Sequence, residues 1–274
     1  MKITVLAENT TQDKYYEAEH GLSLYIETAK HKVLFDTGAS SCFAANAKKL
    51  GVDLKDVDIT VISHGHYDHG GGLKTFMEVN AKSTIYVNHL AYEPYYSRTG
   101  NVNPGYIGLD VTTRQPDRML LTKEDMVIDN ELELFMNIQA KKCFPSVNHR
   151  LLKEKDDALV QDDFLHEQSL VIHEGGSHVL IAGCAHTGII NIMEQIHERS
   201  QYTITHVVSG FHMYNRKENT SEDSNVVDQV GAYLKAHGVM AYTGHCTGDK
   251  AYAQLSEILG EQLVKLYSGQ IIKV

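Results

Sequence analysis

The feature that most constrains this chain is the hand-over from an apolar run, Val57-Asp58-Ile59-Thr60-Val61-Ile62, to Ser63-His64-Gly65-His66-Tyr67-Asp68-His69, followed by Gly70, Gly71 and Gly72. A β-branched run that stops at such residues reads as a strand ending in a tight loop. In that turn His64 and His66 can converge on one cation while Asp68 and His69 turn towards a second. Neutral imidazoles and a carboxylate suit zinc or another borderline first-row metal, and leave coordination positions open to water. The competing reading is a histidine-rich surface turn that binds nothing. It explains neither the consecutive glycines nor the abutting apolar strand.

The H-x-H-x-D-H pattern at a strand end resembles the metallo-β-lactamase superfamily, and the resemblance extends over nearly the whole chain. Three further phrases narrow it: Glu19-His20-Gly21-Leu22-Ser23, Gly183-Cys184-Ala185-His186-Thr187-Gly188 and Gly244-His245-Cys246-Thr247-Gly248. Together they resemble the branch labelled 7,8-dihydropterin-6-methyl-4-(β-D-ribofuranosyl)-aminobenzene-5'-phosphate synthase. The resemblance implies an α/β (α+β) fold of αββα type, with two packed β-sheets, helices on the outer faces and one or two metals along one edge. Two divalent ions are expected, zinc foremost, with manganese or iron as alternatives. It also places Asp36 beneath the metal loop and presents His186 as the next ligand.

Many superfamily members carry a bridging aspartate where this chain has Cys184. Three arrangements follow: a pair of metals without a shared carboxylate, a Cys184 thiolate in its place, or a weakly held second metal. Two histidines compete for the remaining ligand position. His245 is favoured because Gly244 and Gly248 allow close backbone approach, leaving His212 as a substrate or supporting group. The expected ligand set is therefore His64, His66, Asp68, His69, His186 and His245. His20, Thr187, Cys246 and Thr247 are expected beside the ligands or the substrate.

At 274 residues with 42% apolar side chains, the chain can bury a core as one domain, 1–274. Residues 91–163 hold all four prolines, Pro94, Pro104, Pro116 and Pro145, and show weak periodicity. They read as an insertion covering the site. Tyr92, Tyr95, Tyr96 and Tyr106, clustered in its first third, would offer a substrate-facing aromatic wall, or simply pack the insertion down. Strands near Met119–Leu121 and Leu132–Phe135 are expected in the second sheet, and Leu263–Tyr267 is expected to pair with 270–274. No stretch approaches the roughly 20 apolar residues of a membrane helix, and no signal peptide is evident. Four cysteines without C-x-x-C spacing point to reduced thiols and a cytoplasmic home. The net charge of −10 disfavours nucleic acid, and no membrane partner is expected. A homo-oligomer stays open.

Cations held by these residues would lower the pKa of water towards neutrality, making hydroxide available as nucleophile. Asp68 and His66 are the catalytic candidates, Asp68 by orienting that water. The expected activity is metal-dependent hydrolysis of a small phosphorylated or cyclic phosphoester substrate. One alternative, implied by the resemblance, is a synthase-like transferase that displaces diphosphate; another is a non-catalytic metabolite-binding regulator. A diiron redox protein would be expected to carry glutamate at His66. No nucleophile elbow or Walker-type loop is present.

Overall fold

Alternation along the strands sorts the apolar side chains into three layers, because successive residues of a strand face opposite sides of its sheet. In the strand Ser177–Ile181, Val179 and Ile181 join a central cluster while Leu180 joins an outer one. In Lys32–Phe35, Val33 and Phe35 face the same central cluster and Leu34 faces away. The central cluster draws on both sheets, which therefore pack face to face as a sandwich. One outer cluster seats the helices Cys42–Lys49 and Leu73–Val79; the other seats Ile189–Ser200, Ser224–Ala236 and Asp249–Leu259. The αββα arrangement expected from the sequence is the one observed. The computed structural model describes residues 1–100 and 102–274.

The first seven-stranded sheet runs Ile271–Lys273, Lys2–Ala7, Ser23–Glu27, Lys32–Phe35, Ile59–Ile62, Thr84–Asn88, Met119–Thr122. The second, also seven-stranded, runs Leu263–Lys265, Met240–Thr243, His206–Ser209, Ser177–Ile181, Gln168–Glu174, Leu132–Met136, Met126–Val127. Each is parallel over one half and antiparallel over the other. Parallel strands end on the same side of a sheet, and loops beyond their carboxyl ends are where open α/β sheets gather function. Asp36 follows the strand ending at Phe35 and Ser63 the one ending at Ile62. On the second sheet Cys184, His212 and His245 follow the strands ending at Ile181, Ser209 and Thr243.

Three sequence expectations need correction. Met119–Thr122 pairs in parallel with Thr84–Asn88 and so extends the first sheet, not the second; Leu132–Met136 does join the second. The last two strands do not pair with each other. Leu263–Lys265 lies parallel to Met240–Thr243, whereas Ile271–Lys273 crosses to pair with Lys2–Ala7 in the other sheet. Residues 91–163 are not one irregular insertion. Their middle supplies those sheet strands, and the flanks form a four-stranded antiparallel sheet, Ala158–Gln161, Leu151–Lys155, Tyr95–Thr99, Val102–Tyr106. Pro104 sits in the outermost of these strands, where its missing N–H costs no ladder bond. Among the described residues no helix is long and apolar enough to cross a membrane.

Candidate metal centre

Beneath the loop lies Asp36, fully buried, in the left-handed region at φ 58°. Its Oδ1 accepts from the Ser63 backbone N–H at 2.7 Å, and Oδ2 accepts from the Ser63 hydroxyl at 2.7 Å and from His69 Nδ1 at 2.6 Å. A carboxylate can only accept, so the His69 proton is on Nδ1 and Nε2 keeps its lone pair. Ser63 has spent its own proton on Asp36 and therefore accepts from His64 Nδ1, 2.8 Å away. One carboxylate thus fixes the tautomers of two histidines, one directly and one through Ser63. The loop fits only because glycines stand where chains approach. A Cβ on Gly65 would meet the Ala91 carbonyl at 2.5 Å, and one on Gly72 the Thr37 carbonyl at 2.3 Å.

His64, His66 and His186 form a first donor group, with one nitrogen from each lying within 4.8 Å of the others. His186 Nδ1 donates to Asn148 Oδ1 at 3.0 Å. The Asn148 amide donates to the His186 carbonyl at 2.8 Å, which fixes its orientation. The His186 ring stacks on Phe164 with centroids 4.6 Å apart. The Nε2 atoms of His64, His66 and His186 are buried without a hydrogen-bond partner. Burial, with the neighbouring imidazoles after it, holds the pKa of His64 and His186 well below the ordinary value; His66 falls to about 3, by burial and then His166. These rings are neutral at physiological pH, as metal ligands must be.

Asp68, His69 and His245 form a second group. His245 Nε2 is 3.2 Å from His69 Nε2 and 3.4 Å from Asp68 Oδ2, and His69 Nε2 is 3.8 Å from that oxygen. His245 Nδ1 donates to Asn9 Oδ1 at 2.9 Å, its backbone N–H donates to Glu8 at 2.5 Å, and Asn9 donates back to its carbonyl at 3.0 Å. With both Nδ1 protons so committed, two lone pairs and a carboxylate crowd one point. Such a set calls for a cation or an added proton. Burial acts against the protonated His245, but Cys246 and Asp68 outweigh it and raise its pKa to about 9. Burial likewise opposes the Asp68 charge, and His69 and His245 more than offset it, holding the carboxyl well below its usual range. Both groups fit divalent ions on their donor chemistry.

Cys184 lies between the groups. Its sulfur is 3.2 Å from His69 Nε2 and shares donor clusters with His64 and His69, with His186 and His212, and with His245 and Cys246. All four cysteines are free. His212 lies beside His186, their rings 4.1 Å apart, with both nitrogens buried and unpartnered, and it shares a donor cluster with Cys184 and His186. His20 comes closer than expected of a supporting residue, with Nε2 3.4 Å from Asp68 Oδ2 and its ring stacked 5.0 Å from His245.

These groups open onto a cavity of about 530 Å³ lined by His66, Asp68, Cys184, His186, His212 and His245, with Tyr67, Tyr106, Ile107 and Leu151 on its walls. Tyr92 and Tyr95 are not among the lining residues. Tyr92 packs against the outer core and bonds Thr113, while Tyr95 is buried beneath the loop, 4.0 Å from the His166 ring, its hydroxyl donating to the Leu90 carbonyl. Of the four tyrosines expected there, Tyr106 lines the cavity. Thr187 and Thr247 also fall short of the cavity: the Thr187 hydroxyl donates to Glu167 at 2.7 Å, and Thr247 accepts from the Phe211 N–H at 3.0 Å. Both brace loops.

Sequence reasoning missed a supporting layer. Buried Glu167 receives the backbone N–H groups of His186 and Thr187 at 2.7 and 3.1 Å. His166 Nδ1 accepts from the Gly65 N–H at 2.9 Å while Nε2 faces Asp162 at 3.0 Å. Glu8, Asn9 and Asn148 complete it. The only local hint was the His166-Glu167 pair entering a strand, which carries no metal spacing.

A model of the metallo-beta-lactamase superfamily matches residues 17–206. An uncharacterized protein of Methanocaldococcus jannaschii is 30% identical over 99% of this chain and 100% of its own length. The same organism's 7,8-dihydropterin-6-methyl-4-(beta-D-ribofuranosyl)-aminobenzene-5'-phosphate synthase is 28% identical over 100% of this chain and 96% of its own. Among solved structures, Tm1679, described as a metal-dependent hydrolase of the beta-lactamase superfamily, superposes with a TM-score of 0.81 at 30% identity, covering 100% of this chain and 99% of that one.

Proposed function

The chain belongs to the metallo-β-lactamase superfamily, and on that premise we propose that it is a metal-dependent hydrolase of a small phosphorylated molecule. The observation that carries this reading is the pair of inward-facing donor groups. Buried Nε2 atoms of His64, His66 and His186 have no partner, and beside them lone pairs of His69 and His245 face Asp68. We assign the first group to one divalent ion and the second to another, zinc foremost and manganese or iron as alternatives. Bound there, the ions would supply Lewis acidity and a lowered water pKa.

The remaining roles fall to side chains. Asp68 lines the cavity and, besides holding an ion, would orient the attacking water towards phosphorus. Cys184, whose sulfur lies beside both donor groups, would offer a thiolate to either ion. His212, unpartnered at both nitrogens and lining the same cavity, would give a proton to the departing alcohol oxygen. Asp36, Asn148 and Asn9 hold the ligand imidazoles in the tautomer the reaction needs. The hydrolase description of the 30%-identical Tm1679 supports this reading.

The test is metal analysis of the purified protein with hydrolysis of bis(p-nitrophenyl) phosphate, wild type against His66→Ala. A pair of ions per chain, with turnover lost in the variant, is the expected result. A full metal complement without turnover would overturn hydrolysis. It would favour a second reading, a synthase-like transferase, for which the 28%-identical synthase is the supporting observation.

A further inference from the structure

The mouth of the cavity carries three cations that form no salt bridge among the described residues. Arg150 ends the short turn Ser146–Arg150, beside the strand Leu151–Lys155, and Arg216 and Lys217 form the tip of the ribbon Tyr214–Asn215/Thr220–Ser221. All three line the cavity that holds Asp68, His186 and His245. Some exposed cations elsewhere are ion-paired, as in Lys153–Asp163 at 2.5 Å and Arg199–Asp125 at 2.9 Å, and others are not; what sets these three apart is that they converge on one cavity. Arg150 donates to the Ser97 hydroxyl at 3.1 Å, and its Nε is buried without a partner. Glu218, the nearby carboxylate, is already engaged: it accepts from Asn215 at 2.8 Å and faces His149 at 4.0 Å. A half-buried guanidinium left unpaired costs free energy that a bound anion would offset. Between these cations and the floor the walls are Tyr106, Ile107, Leu151 and Tyr214, which offer apolar faces and no charge.

We propose that Arg150, Arg216 and Lys217 form an anion subsite that holds a second, non-reacting phosphate of the substrate. The substrate class is then a molecule with a flat or apolar middle, a scissile phosphoester at the floor and a phosphate monoester at the mouth. Guanidinium groups suit that dianion because their fork of N–H donors matches phosphate oxygens. The inference rests on the reading of this cavity as the active site, and it separates substrate recognition from the metal groups.

The experiment measures binding rather than turnover. Purified metal-loaded protein is titrated calorimetrically with methylphosphonate, which carries one anionic group, and with alkane-α,ω-bisphosphonates of increasing length, which carry two. In the wild type a bisphosphonate long enough to span floor and mouth should bind at least about tenfold tighter than methylphosphonate, the range for hydrogen bonds to a charged group. Arg150→Gln and, independently, Arg216→Ala should each remove most of that gain, with methylphosphonate affinity and metal content unchanged. Arg216 is exposed on its ribbon, so its variant carries no folding cost that could imitate the effect. Equal binding of the two probes, or a gain that survives both variants, overturns the subsite. Hydrolysis of bis(p-nitrophenyl) phosphate by the same preparation reports separately on the hydrolase reading. Turnover without a bisphosphonate gain sinks the subsite alone, and a gain without turnover sinks hydrolysis alone.

Discussion

Replacing Asp36 by Asn changes one proton-bearing group and leaves shape almost untouched. The new side chain would still accept from the Ser63 N–H through its oxygen, but its NH2 would then occupy the position of Oδ2. That position now receives protons from the Ser63 hydroxyl and from His69 Nδ1 at 2.7 and 2.6 Å. Two donors cannot face each other, so His69 must move its proton to Nε2, the atom 3.2 Å from His245 Nε2. Ser63 must accept from the new amide and turn its own proton towards His64 Nδ1, 2.8 Å away, which pushes the His64 proton to Nε2 as well. Each relocated proton blocks one metal-binding lone pair. Loss of an orienting partner of this kind typically costs about 10–100-fold in metal affinity, or about 1.4–2.8 kcal/mol per site. The assay is chelator competition on folded protein, with folding checked by circular dichroism. Asp36→Asn should weaken both ions, whereas Ser63→Ala, which leaves the His69–Asp36 bond in place, should weaken only the His64 group. Wild-type affinity for both ions in folded Asp36→Asn would refute the tautomer argument.

Cys184→Ser, loaded with cobalt(II), should lose the near-ultraviolet sulfur-to-cobalt charge-transfer band of the wild type, whereas Cys246→Ser should keep most of it; an unchanged band in Cys184→Ser removes that sulfur from the centre. In the metal-free protein the His245 pKa is raised to about 9, so below that pH an ion entering the second group must displace a proton. Affinity there should rise about tenfold per pH unit between pH 7 and 9 with release of about one proton, while the neutral imidazoles of the first group give a flat profile; equal slopes for both ions would count against the assignment. Gly65→Ala should lower stability by about 1–3 kcal/mol, because the Ala91 carbonyl at 2.5 Å is backbone and cannot yield. Gly105→Ala, with nothing within 4 Å, is the matched control in the same thermal melt.

The metal loop was legible because its evidence is local. A β-branched strand, a stop at glycines and three imidazoles in six positions are adjacent in the chain and need no knowledge of partners. The helix Ile189–Ser200 was legible, to about Glu198, through the helical spacing of Ile189, Ile192, Met193 and Ile196. What was not legible depends on distant partners. Met119–Thr122 and Ile271–Lys273 alternate as strands in either sheet would, and only pairing with Thr84–Asn88 and Lys2–Ala7 decides their place. Tyr95 and Tyr96 are neighbours in one strand, so a cluster in sequence is necessarily split between two faces. Glu167, His166 and Asn148 support the site across separations of 19, 101 and 38 residues, and a lone Glu or Asn gives no sign of that in the sequence. The glycines flanking His245 favoured it over His212 in the sequence, but both follow parallel strands of one sheet, and only the distances to Asp68 and to His186 show where each lies.

His69 comes from a loop of the first sheet and His245 from a loop of the second, 176 positions along the chain, yet their ring nitrogens nearly touch. An ion shared by such residues acts as a cross-link closing a very long loop, and constrains the unfolded chain in the way a disulfide of that span does. It would clasp the sandwich along one margin only. Stripping the ion should therefore loosen that margin first, raising amide exchange in the loops after Phe35, Ile62 and Thr243 while the opposite margin, where the ribbon Gln168–Glu174/Ser177–Ile181 turns, stays protected. Metal supply would then set the mechanical stiffness of the cavity as well as its chemistry.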